Sequence, residues 1–105
     1  MLRIYDVMLD SIALVAPLVK AIERHDRDLA DQTRRAANSV ALNIAEGAGS
    51  AGGVRTARYR TALGSAREAV CGLQVAERAR YIPSVPRELV AKMNHVIGVL
   101  VRVTT

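Results

Sequence analysis

Three polar residues near the middle of the chain are spaced as a catalytic group could be. Ser39, Asn43 and Glu46 recur at steps of three and four residues, so they lie along one flank of a predicted helix. A serine nucleophile needs an adjacent base, and neither a His nor a Lys lies near Ser39 in the sequence. A single carboxylate is weak evidence for acid–base catalysis. We therefore predict no catalytic residue and interpret the group as a structural polar network, extended by Ser65 and Glu68, that fixes the register of two helices.

The other reactive side chains are isolated in the sequence. His25 and His95 do not form a His-x-x-x-His pair with any residue, so we predict no metal site and no cofactor. Cys71 is the single cysteine, which excludes an intrachain disulfide and fits a reducing compartment. On a helix it is expected to be a small packing residue.

The N-terminal residues do not resemble a targeting segment. Asp6 and Asp10 interrupt the first apolar pattern, which argues against a signal peptide. No apolar run reaches the length of a membrane span, so we expect no membrane association. These features together predict a cytoplasmic protein.

A glycine-rich segment, residues 47–53, contains the pattern G-x-G-x-x-G. A dinucleotide-binding fingerprint requires a preceding strand within a βαβ unit, whereas a helical pattern precedes this segment. The Lys-Ser/Thr ending of a P-loop is also missing. We interpret the segment as a helix–helix turn. An anion site at the start of the next helix, assisted by Arg55, is the alternative.

The arginines give the strongest functional signal. The net charge is +5, and residues 54–105 hold nine basic and three acidic residues. A positively charged half favours an anionic partner, and the arginine fork fits phosphate oxygens. The residues predicted to contact DNA or RNA are Arg34 and Arg35 on the second helix, and Arg60, Arg67 and Arg78 along one stripe of the third. A solvated face remains the alternative for these arginines. Because only three aromatic residues are present, any binding should be independent of base sequence.

Four amphipathic patterns must position these residues. They predict helices at about residues 4–24, 28–47, 54–81 and 86–103 within one domain, residues 1–105. Pro17 interrupts the first pattern, which predicts either a kinked helix or two shorter helices. Asp26 or Asp28 is expected to cap the second helix, and Gly47 to end it in a left-handed conformation. Pro86 suits the first turn of the fourth.

The third and fourth helical patterns each carry an unusual feature. Glu77 continues the apolar stripe of the third helix, where a charge needs a partner or a position near the helix end. A second face of that helix consists mostly of small residues, which allow another backbone to approach. Residues 96–103 are apolar nearly all round, so a second subunit should cover part of them. Together the patterns predict an all-α, antiparallel up-and-down four-helix bundle that forms a homo-oligomer.

Two motifs resemble a known family. They run from Gln32 to Gly47, with Asn-Ile-Ala-Glu-Gly at the end, and from Tyr59 to Glu68, with Gly-Ser-x-x-Glu. With Leu73 to Pro83, the resemblance extends over about residues 4–103. These segments are similar to the four-helix bundle proteins of 23S ribosomal RNA intervening sequences, relatives of which include the accessory variability determinant of diversity-generating retroelements. The glycine-rich turn departs from the more polar loop of that family.

The resemblance implies several properties. It implies a ring-shaped homopentamer without enzymatic activity. For some members it also implies binding of nucleic acid and of a reverse transcriptase. We therefore expect a non-enzymatic, nucleic-acid-associated adaptor, with a protein-interaction scaffold that does not bind nucleic acid as the alternative.

Overall fold

Four helices make up the regular structure of the chain, as seen in a computed structural model that describes residues 3–105. The helices are α1 (Ile4–Glu23), α2 (Arg27–Ala48), α3 (Gly52–Arg78) and α4 (Arg87–Thr104). Between Arg3 and Thr105 there is no strand. The all-α prediction with four helices is therefore confirmed.

Short turns reverse the chain between successive helices, so neighbours in sequence pack side by side. The bundle closes where α4 returns to α1, and there Lys92 Nζ lies 3.7 Å from Asp10 Oδ2. Its longest dimension is 42 Å.

Alanine determines how closely the two central helices pack. All eight buried alanines lie on α2 or α3, namely Ala30, Ala36, Ala37, Ala41, Ala62, Ala66, Ala69 and Ala76. Small side chains let two backbones approach, which offsets the lack of Phe and Trp in the chain. Longer aliphatic residues on α1 and α4, such as Met8, Ile22 and Leu100, fill the remaining space. The α2–α3 pair is thus the most extensively packed pair of helices in the bundle.

The first two helices are each continuous from their first residue to their last. A single α1 passes through Pro17, so the alternative of two shorter helices is wrong. Asp26 caps α2, and its Oδ1 accepts a hydrogen bond of 2.9 Å from Leu29 N.

Gly47 does not end α2, which corrects the expectation from sequence. The helix continues to Ala48, and Gly47 is buried within it. Its packing explains the glycine: a Cβ built there would lie 2.6 Å from Tyr59 Cδ1 on α3. The positive backbone angle falls instead on Gly52, with φ 58°, at the start of α3. Space, and not backbone conformation, requires the glycine at position 47.

The other end of the bundle brings two turns together. The rings of His25, between α1 and α2, and Tyr81, after α3, stack with centroids 5.0 Å apart and planes 6° from parallel. α3 ends through a hydrogen bond of 2.8 Å from Tyr81 N to Ala76 O, with Arg80 in the left-handed region at φ 65°. This reversal places Ile82 in the core, where it is 2% exposed.

Candidate nucleic-acid interface

Three of the five residues predicted to form a polar network join α2 to α3. Ser39 Oγ lies 2.8 Å from Ser65 Oγ, and Asn43 Nδ2 donates hydrogen bonds to Ser39 O (2.9 Å) and Ser39 Oγ (3.0 Å). The three residues are half-buried. Two hydroxyls and an amide contain no base, so this group can set helix register but lacks the parts needed to activate a nucleophile.

The two predicted carboxylates lie outside this group. Glu46 Oε2 pairs with Arg58 Nη1 at 3.0 Å, and both side chains are about half exposed, at 55% and 49%. Glu68 is exposed, and no residue between 3 and 105 forms a hydrogen bond or ion pair with it. The structure thus places Glu46 in a surface ion pair and Glu68 in solvent.

Because Asn43 lies in the half-buried network and Glu46 in a surface ion pair, their alanine substitutions should have different effects on stability. Asn43→Ala should lower the free energy of unfolding by about 1–2 kcal/mol, because Ser39 loses its hydrogen-bond donor in a half-buried site. Glu46→Ala should change it by less than about 0.5 kcal/mol, since exposed ion pairs contribute little. Urea denaturation of both variants measures the difference. Equal losses would show that the surface pair carries as much of the α2–α3 contact as the amide does.

The arginine stripe of α3 is exposed along its length. Arg60 Nη2 donates a hydrogen bond of 3.4 Å to Thr104 O at the end of α4. Arg67 and Arg78 make no ion pair or side-chain hydrogen bond with the described part of the chain. Gln74, between them, borders a groove that separates α3 from α4. The stripe therefore presents two guanidinium groups without a counter-ion and a third held only by a carbonyl.

The arginines of α2 do not join this stripe. Arg34 pairs with Asp31 at 2.7 Å and lines a separate groove between α1 and α2. Arg35 Nε donates to Asp31 O at 3.4 Å. Because Arg34 borders α1 whereas the α3 stripe borders α4, Arg34 lies on a different face of the bundle from Arg60, Arg67 and Arg78. A single continuous surface made of all five does not form.

Other basic residues serve the turns. Arg55 Nε donates to Gly47 O at 3.2 Å and to Ser50 O at 2.9 Å, so its side chain closes the α2–α3 turn. These two hydrogen bonds give Arg55 a structural role, and that role requires no anion bound at the glycine-rich segment. Arg102, exposed on α4 near the end that Arg60 reaches, is a basic residue that sequence spacing missed. It stands alone in an apolar run, two residues before Thr104, whose carbonyl oxygen accepts the hydrogen bond from Arg60.

The remaining candidate residues are dispersed. No group of three His, Cys, Asp or Glu side chains suited to a metal ion occurs among residues 3–105. Cys71 is exposed and not packed, contrary to expectation. None of the four helices described is long and apolar enough to cross a membrane.

Comparisons with known proteins agree with the resemblance in the motifs. The model of the 23S rRNA-intervening sequence protein family matches residues 2–102. The chain belongs to this family. A member of the S23 ribosomal protein family from Bacteroides thetaiotaomicron VPI-5482, described as a protein with unknown function, has a similar crystal structure. The TM-score is 0.82 at 19% identity, over 97% of this chain and 98% of the other, so the likeness establishes the fold. No curated protein matches the chain.

Proposed function

We propose that this member of the family is a non-enzymatic, oligomeric adaptor that binds nucleic acid through its phosphates. The observation that carries the proposal is the exposed stripe of Arg60, Arg67 and Arg78 on α3, two of which have no counter-ion among residues 3–105. Arginines that only solubilise a surface are commonly balanced by neighbouring carboxylates. Here residues 54–105 carry nine basic against three acidic residues.

The spacing of the stripe suits a phosphate backbone. Arg60 and Arg67 lie seven residues apart, which is roughly 10 Å along a helix, and Arg78 follows after roughly 16 Å more. These separations span several phosphates, and nothing in the stripe can stack on bases. Binding should therefore depend on charge and hardly on base sequence.

Salt dependence tests this function. A fluorescein-labelled DNA duplex and a single strand are titrated with protein at several salt concentrations, and fluorescence anisotropy gives the affinity. Phosphate contacts release counter-ions, so affinity should fall steeply with salt. The Arg60/Arg67/Arg78→Gln variant should have a slope on the duplex that is shallower by about three units, one for each lost contact.

A charge-matched control separates the stripe from net charge. Arg24, Arg27 and Arg87 are exposed and lie at helix ends outside the stripe. Changing these three to Gln removes the same total charge and should leave most of the slope. Equal losses in the two variants would reduce the effect to net charge. No binding by the unmodified protein at low salt would favour the protein-interaction scaffold.

Self-association is the second element of the proposal, and open apolar surface supports it. Val54 and Val75 on α3 are 60% and 47% exposed, and Val103 on α4 is 39% exposed. Gly98 on α4 has no atom within 4 Å of a built Cβ, so its backbone is open to close approach. The resemblance makes a ring of five the expected assembly, and it makes a reverse transcriptase the first protein partner to test.

Light scattering at micromolar concentration tests the assembly. The mass should be several times 11.3 kDa, with five subunits as the expected number. Val75→Asp should lower that mass, because burying an unpaired carboxylate opposes association. The matched control is Leu42→Asp on α2, where Leu42 is 63% exposed, and this change should not lower the mass. A monomeric unmodified protein would contradict the ring.

A further inference from the structure

One carboxylate in this bundle lacks the partner that its position calls for. Among the described residues, three carboxylates are half-buried: Asp26, Asp31 and Glu77. Asp26 caps α2, and Asp31 pairs with Arg34. Glu77 has neither a hydrogen bond nor an ion pair within residues 3–105, although Arg78 and Arg80 lie near it in sequence.

The helix itself makes this position less favourable. Glu77 lies one residue before the end of α3. The C-terminal end of a helix carries partial negative charge, which repels a carboxylate. Partial burial adds a further cost, because the charged group loses water without gaining a partner. No side chain among residues 3–105 offsets these two costs with an ion pair or a hydrogen bond.

Glu77 lines the groove between α3 and α4, and it also borders two more open pockets that contain Arg78 and Arg80. The groove has a volume of about 300 Å³, and its floor is apolar, with Val70 and Leu73 from α3 and Leu89 and Met93 from α4. Besides Glu77, only Gln74 and Asn94 provide polar side chains to it. Val90 at its edge is 43% exposed. An apolar floor with a few convergent polar groups is typical of a binding site.

We propose that this groove binds an amphipathic helix of a partner protein that places a lysine or arginine against Glu77. Charge complementarity selects the basic residue, since the groove offers one carboxylate and two amides but no cation. Glu77 lies seven residues after Val70, which is roughly 10 Å along α3 and matches two turns of a bound helix. Apolar residues at steps of three and four would fill the floor, with the basic residue one turn further on.

The surroundings restrict the partner further. Arg67 and Arg78 are exposed on the same side of α3 as Gln74, which borders the groove. They oppose a uniformly basic helix and favour one with acidic residues at its margins. The groove adds protein binding to the proposed adaptor. Glu77 and the apolar floor carry this proposal, so it does not depend on whether the arginines bind DNA.

Selection from a displayed library of helical peptides tests the proposal without a known partner. The unmodified protein should enrich peptides with a Lys or Arg between apolar residues at helical spacing, and Glu77→Lys should enrich Asp or Glu there. The exposed Glu68→Lys on the same helix carries the same charge change and should select as the unmodified protein does. A synthetic copy of the leading peptide should bind Glu77→Gln about tenfold more weakly in fluorescence anisotropy.

Three results would overturn the proposal. One is enrichment of peptides without a basic residue. Another is failure to enrich any peptide above the level of a Val90→Asp protein, in which the groove edge is charged. The third is a lower mass of Val90→Asp in light scattering, which would show that a second copy of the chain occupies the groove. Absence of DNA binding by the unmodified protein at low salt, with peptide binding intact, would reject the nucleic-acid function alone.

Discussion

Gly72→Ala is expected to lower the free energy of unfolding by about 1–3 kcal/mol, because the added methyl group has no space. A Cβ built on Gly72 would lie 3.2 Å from Thr33 Cβ and 3.4 Å from Thr33 Cγ2, on the facing side of α2. The nearest atom would be Thr33 Oγ1, and rotation about χ1 cannot relieve the Cβ contact because Cβ itself does not move. Alanine gains up to about 1 kcal/mol in helix propensity over glycine. The overlap should outweigh that gain.

A second glycine of the same helix provides the control. Gly64 is exposed, and no atom lies within 4 Å of a Cβ built there. Gly64→Ala should therefore raise the stability of a single bundle by about 0.5–1 kcal/mol. Urea denaturation of both variants should give changes of opposite sign. A gain for both would contradict the close contact at Gly72, and a loss at Gly64 would indicate that a second subunit packs there.

A double substitution isolates the contact. Thr33→Ala/Gly72→Ala should recover most of the stability that Gly72→Ala loses, because the smaller α2 residue makes room. The cost of Thr33→Ala itself should be small, since Thr33 Oγ1 is buried and has no hydrogen-bond partner in the described chain. The double-mutant cycle would measure this coupling between α2 and α3 directly.

The helices could be predicted because their signals are local. Apolar residues at steps of three and four mark the buried faces, Asp26 begins α2, and short turns make successive helices neighbours. Those signals require no knowledge of distant residues. The predicted helix at 54–81 differs from the observed α3, Gly52–Arg78, at its ends, where backbone geometry competes with propensity.

Contacts between helices were predictable only where spacing fixed both partners. Ser39 and Ser65 each fall on the flank that meets the other helix, and their hydroxyls lie 2.8 Å apart. Glu46 and Glu68 follow the same steps, but long side chains at the edge of such a stripe reach solvent. The arginines of α2 and α3 have only their charge in common in the sequence, and sequence spacing cannot relate the faces of two helices. The partnerless state of Glu77 likewise emerges only from three dimensions.

The second large effect is expected at Gly47. There, a local cause of the glycine (backbone conformation) and a tertiary cause (lack of space) predict different results. Gly47→Ala should lower the free energy of unfolding by about 1–3 kcal/mol, because its Cβ would overlap a packed ring. That Cβ would lie 2.6 Å from Tyr59 Cδ1 and 3.2 Å from Tyr59 Cζ, and Tyr59 is 6% exposed. Gly49→Ala is the control, since its nearest neighbour is a carbonyl oxygen at 3.7 Å, an ordinary contact.

Comparison of alanine with asparagine at position 47 identifies the cause of the constraint. A helix-ending glycine in the left-handed region would accept Asn better than Ala, because Asn tolerates that conformation. In a helix interior that lacks space, the larger Asn should be the more destabilising of the two. Thermal melts of Gly47→Ala and Gly47→Asn would rank them, and the reverse order would restore the helix-ending interpretation. Tyr59→Leu, which removes the ring, should reduce the cost of Gly47→Ala by about 0.5–3 kcal/mol in a double-mutant cycle. Such coupling would mean that the glycine of the Asn-Ile-Ala-Glu-Gly motif and the tyrosine that opens the second motif act as one contact between α2 and α3.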